Sequence, residues 1–201
     1  MTRLPGEDSP GATPLEDEDI DGLIPTFVAT RGDLNVVEQA NIEKATRWAL
    51  RRRAALPIEE LFSVSFTIEL HRRMFGDVWR WAGQQRPRET GIGVEPSRIM
   101  TDVRVLLDDA IFWHQHDTYP ATERAVRVHH RLVSVHPFRN GNGRHSRFLA
   151  DVYLHQIGAE QLTWGAGKDL VIDGDARKLY IASLRIADGG DIGPLHRFAL
   201  S

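Results

Sequence analysis

The chain has 201 residues, 41% of them hydrophobic and 26% charged, with a formal net charge of −3 and no cysteine. That length supports one sizeable core, the missing cysteines exclude a disulfide framework and a thiolate metal site, and the slightly acidic balance argues against a dedicated nucleic-acid binder. No apolar run approaches the roughly 20 residues of a membrane span, and the acidic, Pro/Gly-rich start does not resemble a signal peptide; a cytoplasmic protein with no membrane partner and no direct nucleic-acid partner is expected.

Residues 1–30 read as a tail and lead-in, with Met1–Thr13 too poor in apolar residues to fold and Leu15–Gly22 acidic and structurally ambiguous. Residues 31–201 read as a single domain. Asn35 with Glu38 three residues on has the spacing of a capping box, and Ile42, Ala45, Trp48 and Ala49 recur at helical spacing, predicting a helix over 35–53. Its basic end, Arg51-Arg52-Arg53, reads as a solvated face. Pro57 at the first helical position opens a second helix through Phe75, ended by Gly76. Trp79–Gly83 turns the chain. Gln84–Glu95, with Pro87, Gly91 and Gly93, is the one convincing non-helical element, and Gly91-Ile92-Gly93-Val94 reads as one arm of a short β-hairpin. Further helices are expected from Pro96 through Trp113, from about Pro120 to Val135, from Gly143 to about Ile157 with Gly158 as C-terminal cap, and from Asp173 to Ala187; Ile192–Leu200 adds a turn. The five tryptophans read as scaffold. The expected class is all-α.

The stretch His136-Pro137-Phe138-Arg139-Asn140-Gly141-Asn142-Gly143-Arg144-His145-Ser146-Arg147 concentrates chemistry between two of these helices. A helix entered from a tight loop leaves its first N–H groups without intrahelical partners. Gly141 and Gly143 let that backbone approach a ligand, and such amide arrays bind anions. Arg144 and Arg147, one turn apart, can grip phosphate oxygens in bidentate fashion. Asn142 offers an amide donor to the same anion, and Asn140 a carbonyl oxygen suited to magnesium held mainly by phosphate and water. His136, titrating near neutrality, is a candidate base for an attacking hydroxyl. Phe138 is expected to point inward and anchor the loop. His129, His130 and His145 lack the carboxylate or cysteine spacing of a metal site.

This stretch closely resembles the Fic (Fido) signature HxFx(D/E)GNGRxxR, and Leu70–Val78 followed by Trp81-Ala82-Gly83 is similar to the family's approach to its flap. The resemblance spans a core of about 58–157 with a C-terminal helical extension; from Gly22-Leu23-Ile24-Pro25 onward the chain also resembles the Fic subgroup called mobile mystery protein B. It implies an all-α Fic fold with a β-hairpin flap, and a protein adenylyltransferase that moves AMP from ATP, with Mg2+, to a Ser, Thr or Tyr hydroxyl of a target. By that likeness His136 is the base, Asn140 stands at the metal position, and Phe138, Arg139, Gly141, Asn142, Gly143 and Arg144 surround the nucleotide with Arg147 at the γ-phosphate. Gly91, Ile92, Gly93 and Val94 of the flap would pair with an extended target segment. One departure stands out. The metal position, usually acidic, is Asn140, which adds no charge. Gly143 matches the signature where Doc-like phosphorylating relatives carry lysine, and favours AMP transfer. Fic proteins often carry an inhibitory (S/T)xxxE(G/N) helix; the nearest match is Leu34–Gln39, making Glu38 the inhibitory candidate, expected to pair with Arg147, with Asp21 as a looser option. Another donor, removal of AMP, or a silent binding module of the toxin–antitoxin kind with an antitoxin-like partner are the alternatives, and self-association fits the family habit.

Overall fold

The computed structural model describes residues 17–51, 56–165, 170 and 174–201. The expected tail over Met1–Thr13, Arg52 and Arg53 of the basic run, and the expected helix start at Asp173 lie outside the described residues. The helices are α1 (Asp17–Ile20), α2 (Arg31–Leu50), α3 (Ile58–Leu61), α4 (Val64–Phe75), α5 (Ile99–Gln115, entered through a 3-10 turn at Pro96–Arg98), α6 (Ala121–Val135), α7 (Asn142–Gln156), α8 (Asp175–Asp188) and α9 (Gly193–Leu200).

α6 and α7 form the central hairpin and pack on each other most extensively, with α4 and α5 against them, α2 laid on α4, and α8 and α9 closing the far side. The core is the shared apolar face of these elements: Leu70 and Met74 from α4, Leu106 and Leu107 from α5, Val126 and Leu132 from α6, Leu149 and Leu154 from α7, all fully or nearly fully buried. Removing this apolar area from water is the main stabilising contribution. No helix among the described residues is long and apolar enough to cross a membrane.

Three boundaries differ from the sequence expectation. α2 starts at Arg31, because Thr30 and Asp33 make the capping box: the Thr30 side chain accepts from Asp33 N at 3.1 Å and Asp33 Oδ2 accepts from Thr30 N at 2.9 Å. Asn35 therefore sits inside the first turns, and Glu38 is released from capping and turned inward. The predicted helix over 57–75 is split, because Phe62 leaves helical geometry (ψ 53°) and Ser63 caps a new start, accepting from Phe66 N at 3.1 Å. Ile192–Leu200 is a two-turn helix rather than a turn. Gly158 ends α7 as expected, at φ +66°.

His71, His129, His136 and His145 are buried with at most 4% exposure. Burial disfavours the imidazolium, so all four titrate below the usual histidine range, His136 and His145 at about 4. Between that range and pH 6.5 the unfolded chain binds more protons, so acidification destabilises the fold. Asp151, partly buried, accepting from Trp164 Nε1 at 2.8 Å and pushed up to about 6, acts in the opposite sense, but it is one group against four. The melting temperature is expected to fall by roughly 10 °C or more between pH 6.5 and 4.5, read by circular dichroism; a flat profile would contradict the buried neutral histidines.

Candidate functional site

The loop between α6 and α7 is built by its own side chains. α6 ends at Val135, and His136 takes the left-handed conformation (φ 55°, ψ 59°) that turns the chain out of the helix. Asn142 closes the loop: its Oδ1 accepts from Phe138 N at 2.9 Å and its Nδ2 donates to Phe138 O at 2.8 Å. Asn140 Oδ1 accepts from Gly141 N at 2.6 Å. His71 Nδ1 accepts from Gly83 N at 2.9 Å, which leaves Nε2–H to donate to Asn140 O at 3.1 Å and sets the tautomer. Phe138 stacks on that ring at 3.8 Å between centroids. Gly141 (φ +77°) is required here, since a Cβ would lie 2.5 Å from the Phe75 ring. Gly143 meets no such clash, so its lack of a side chain leaves space rather than relieving strain.

The loop opens into a cavity of about 600 Å3. α7 begins there at Gly141 with no side-chain cap, so its first-turn amides face the cavity with the positive end of the helix dipole. Arg144 and Arg147 reach into it from the same face. Arg144 Nη1 donates to Glu38 Oε2 at 2.7 Å, while Glu38 Oε1 accepts from Trp79 Nε1 at 2.7 Å. Arg147 lies over the Tyr180 ring, its guanidinium carbon 5.2 Å from the centroid, and no carboxylate pairs with it among the described residues. The expected pairing of Glu38 with Arg147 is thus replaced by a pairing with Arg144. α2 approaches α7 beside Trp79, whose indole N–H fixes the carboxylate toward Arg144, whereas Arg147 is one turn further on and taken by α8. Tyr180 in turn joins a buried chain: its O–H reaches His129 Nε2 at 3.2 Å, and His129 Nδ1 reaches Ser146 Oγ at 2.9 Å.

His136 is 4% exposed and lines the cavity. Burial, and next the Arg86 guanidinium, lower its imidazole from the ordinary value to about 4, partly offset by a hydrogen bond to the Val133 main chain. The ring is therefore neutral at physiological pH and able to accept a proton. A bound polyanion would raise its basicity by charge attraction.

The predicted β-hairpin does not form. Over residues 84–95 the chain makes bends and a single antiparallel bridge, Gln85 to Phe138. Its polar main chain is instead satisfied by Arg86, 2% exposed, whose Nε donates to His136 O at 2.6 Å and Nη1 to Arg88 O at 2.6 Å, with Nη2 donating to Val94 O. Those guanidinium bonds replace the cross-strand ladder that a hairpin would need.

The cavity gathers His136, Asn140, Gly141, Asn142, Gly143, Arg144, Arg147, Gly91, Ile92, Gly93 and Glu38. Phe138, Arg139 and Val94 lie outside its lining: Phe138 is buried beneath the loop, Arg139 turns away to Asp19 Oδ1 at 3.0 Å, and Val94 bonds through its main chain to Arg86 and to Val135 O at 3.3 Å. The Asn142 amide, expected to face an anion, is consumed in closing the loop, leaving its backbone N–H for a ligand. Asp21 is absent from the lining. Sequence reasoning missed Tyr180, Ile181 and Leu184 of α8, which wall the cavity opposite the loop; apolar residues at helical spacing look the same whether they face a core or a ligand. It missed Arg86 as well, a lone arginine without a motif. No group of three or more His, Cys, Asp or Glu that could hold a metal occurs among the described residues.

Residues 61–154 match the Fic/DOC family. Among curated proteins, the chain is 30% identical over 144 residues to protein adenylyltransferase fic-1 of Caenorhabditis elegans, covering 68% of this chain and 26% of that protein. It is 31% identical over 136 residues to protein adenylyltransferase Fic of Drosophila virilis, covering 65% and 26%. The chain thus spans about a quarter of the length of these relatives. Of solved structures, a segment of C. elegans Fic-1 superposes with a TM-score of 0.60 at 26% identity over 89% of this chain and 50% of that one. BepC of Bartonella tribocorum, solved with bound AMPPNP, superposes with a TM-score of 0.64 at 16% identity over 91% and 96%.

Proposed function

With residues 61–154 forming a domain of the Fic/DOC family, we propose that the chain is a protein adenylyltransferase that uses ATP and is restrained by Glu38. The observation that carries this reading is the convergence, around one cavity, of a neutral buried imidazole, an uncapped helix N-terminus and two arginines one turn apart. That set of groups suits a triphosphate beside an attacking hydroxyl and little else. The adenylyltransferase names of its relatives support the donor assignment. We place the chain in the mobile mystery protein B subgroup on the sequence likeness that starts at Gly22-Leu23-Ile24-Pro25.

In this mechanism the hydroxyl of a target Ser, Thr or Tyr gives its proton to the ring nitrogen of His136 as its oxygen attacks the α-phosphorus. The bond from that phosphorus to the β-phosphate oxygen breaks, and pyrophosphate leaves. The first-turn amides of α7 and the Arg144 and Arg147 guanidiniums hold the phosphates and stabilise the charge that moves onto the leaving group. Asn140 is the residue that would hold a magnesium ion together with the donor's phosphates and water, and such an ion supplies further charge neutralisation. Asn140 lines the cavity, but its amide oxygen already accepts from Gly141 N, so the protein's share in holding that ion is small. The segment over 91–94 would receive the target. Its Gly91 and Ile92 are exposed, which suits a main-chain docking mode.

Parallel incubations with ATP labelled at the α- or the γ-phosphate, in a bacterial lysate with magnesium, test the reaction class. Label on protein is expected from the α-position alone. Label from the γ-position alone would mean phosphorylation, and none from either despite ATP binding would favour a silent binding module.

A further inference from the structure

We propose that Arg86 is the positioning residue that locks the flap segment onto the base, holding the main chain of His136 in its working conformation only while residues 88–94 are seated. The proposal rests on the reading of His136 as the base. Arg86 is almost wholly buried, and its favourable charge, Glu89, acts on it at a distance rather than through a salt bridge among the described residues. A buried cation without a direct ion-pair partner is expensive, and an apolar side chain would fill the space at less cost. What the guanidinium does that an apolar group cannot is to donate in three directions in one plane. Its three acceptors are main-chain carbonyls drawn from both sides: His136 O from the catalytic loop, and Arg88 O and Val94 O from the two ends of the flap.

Two further observations place the coupling at the base itself. His136 is left-handed without being glycine (φ 55°), a conformation that persists only where surrounding structure holds it. Its carbonyl is the one that Arg86 Nε takes. Gly93 (φ +103°) presses the flap backbone onto the same place: a Cβ there would lie 2.7 Å from His136 Cβ and 2.8 Å from Arg86 Nη2. The main chain adds Arg86 N to Pro137 O at 2.9 Å and Val94 N to Val135 O at 3.3 Å. A flap that lifts removes the guanidinium's other acceptors and with them the grip on His136. A target segment docked along 91–94 would hold the flap in this seated position and so keep His136 in place. The positive charge of Arg86 also helps keep the ring neutral. The other charged groups around the cavity are Arg144 and Arg147 of α7, Glu38 and Arg31 of α2, and Arg177, Arg185 and Asp188 of α8, with Arg88 and Glu89 on the flap.

Arg86→Met, Arg86→Lys and Gly93→Ala in the full chain test this by calorimetric ATP titration, steady-state kinetics and NMR titration of the His136 ring. In Arg86→Met the ATP affinity should stay within about twofold, because the phosphate groups' partners are untouched, while kcat falls about 10- to 100-fold, as expected for a misplaced catalytic group. The His136 ring should then titrate closer to its ordinary value. Arg86→Lys should keep the ring's titration low while recovering only part of kcat, since an ammonium cannot span three carbonyls. Should Arg86→Met fail to fold, Gly93→Ala decides, with the same expected split between kcat and ATP affinity. Wild-type kcat in either folded variant, or an unmoved His136 titration in Arg86→Met, overturns the proposal. If the wild type transfers no AMP at all, the titration and the exchange of flap amides still report on Arg86 independently of that reading.

Discussion

Glu38→Gly is expected to bind ATP about 10- to 100-fold more tightly than the wild type and to label its target correspondingly faster. In the structure Arg144 spends its guanidinium on Glu38 at 2.7 Å, and a polyphosphate must displace that carboxylate before the arginine can serve it. Glu38 is 3% exposed and held from the other side by Trp79 Nε1, so it does not swing away readily. A hydrogen bond between charged partners contributes ~1.5–3 kcal/mol, and each ~1.4 kcal/mol is a factor of ten in affinity. Without nucleotide the variant should be less stable than wild type, because glycine within α2 costs about 1 kcal/mol relative to good helix formers and a buried ion pair is broken. With saturating ATP the order should narrow or invert, since ligand binding stabilises the folded state by mass action. Glu38→Gln separates the causes: it keeps the helix and an acceptor for Trp79 while removing the charge. Equal ATP affinity in wild type, Glu38→Gly and Glu38→Gln, measured by calorimetry, would remove Glu38 from regulation and leave it a buried structural partner of Arg144 and Trp79.

His136→Ala should lower transfer by about 10^2- to 10^4-fold, the range for losing a general base, with ATP affinity nearly unchanged because in the proposed arrangement α7 would hold the phosphates. The position is left-handed, where alanine is strained, so some loss of stability accompanies the chemical loss. His136→Asn is the sharper variant, because asparagine tolerates that conformation but cannot take the proton. The pH dependence follows from the depressed titration of the ring. In the free protein the imidazole is half protonated near pH 4 and mostly neutral above about pH 5, so base protonation should not limit kcat/KM around pH 6 and above. A limb in kcat at higher pH than that in kcat/KM would show that the bound polyanion raises the ring's basicity. Substantial transfer by both variants would assign the proton to another group.

The motif at 136–147 was legible because its chemistry is local. A glycine-punctuated loop between two helical patterns marks a candidate anion site by spacing alone, and the structure assembles it from adjacent residues. Glu38 was legible as a candidate, but its partner was not: whether it meets Arg144 or Arg147 depends on how α2 lies against α7, and on Trp79. Its capping role was misassigned because Thr30 with Asp33 and Asn35 with Glu38 share one spacing, and the former pair caps the helix while Glu38 is drawn into the interior. The β-hairpin was over-read from its glycines. Glycine marks close approach as well as turns, and at Gly93 the close approach is to His136.

By itself the sequence determined the helical class, most of the long helices, the loop's chemical groups and the candidate base, because hydrophobic period, caps and a contiguous motif act over a few residues. Only the tertiary structure decided which arginine meets Glu38, which helix walls the cavity, and what holds the main chain of the candidate base. Those answers depend on groups brought together from distant segments: α2 and Trp79 on Arg144, Tyr180 of α8 on Arg147, and Arg86 on the His136 carbonyl. Such contacts are satisfied by packing and by buried hydrogen bonding, and neither leaves a periodic trace along the chain.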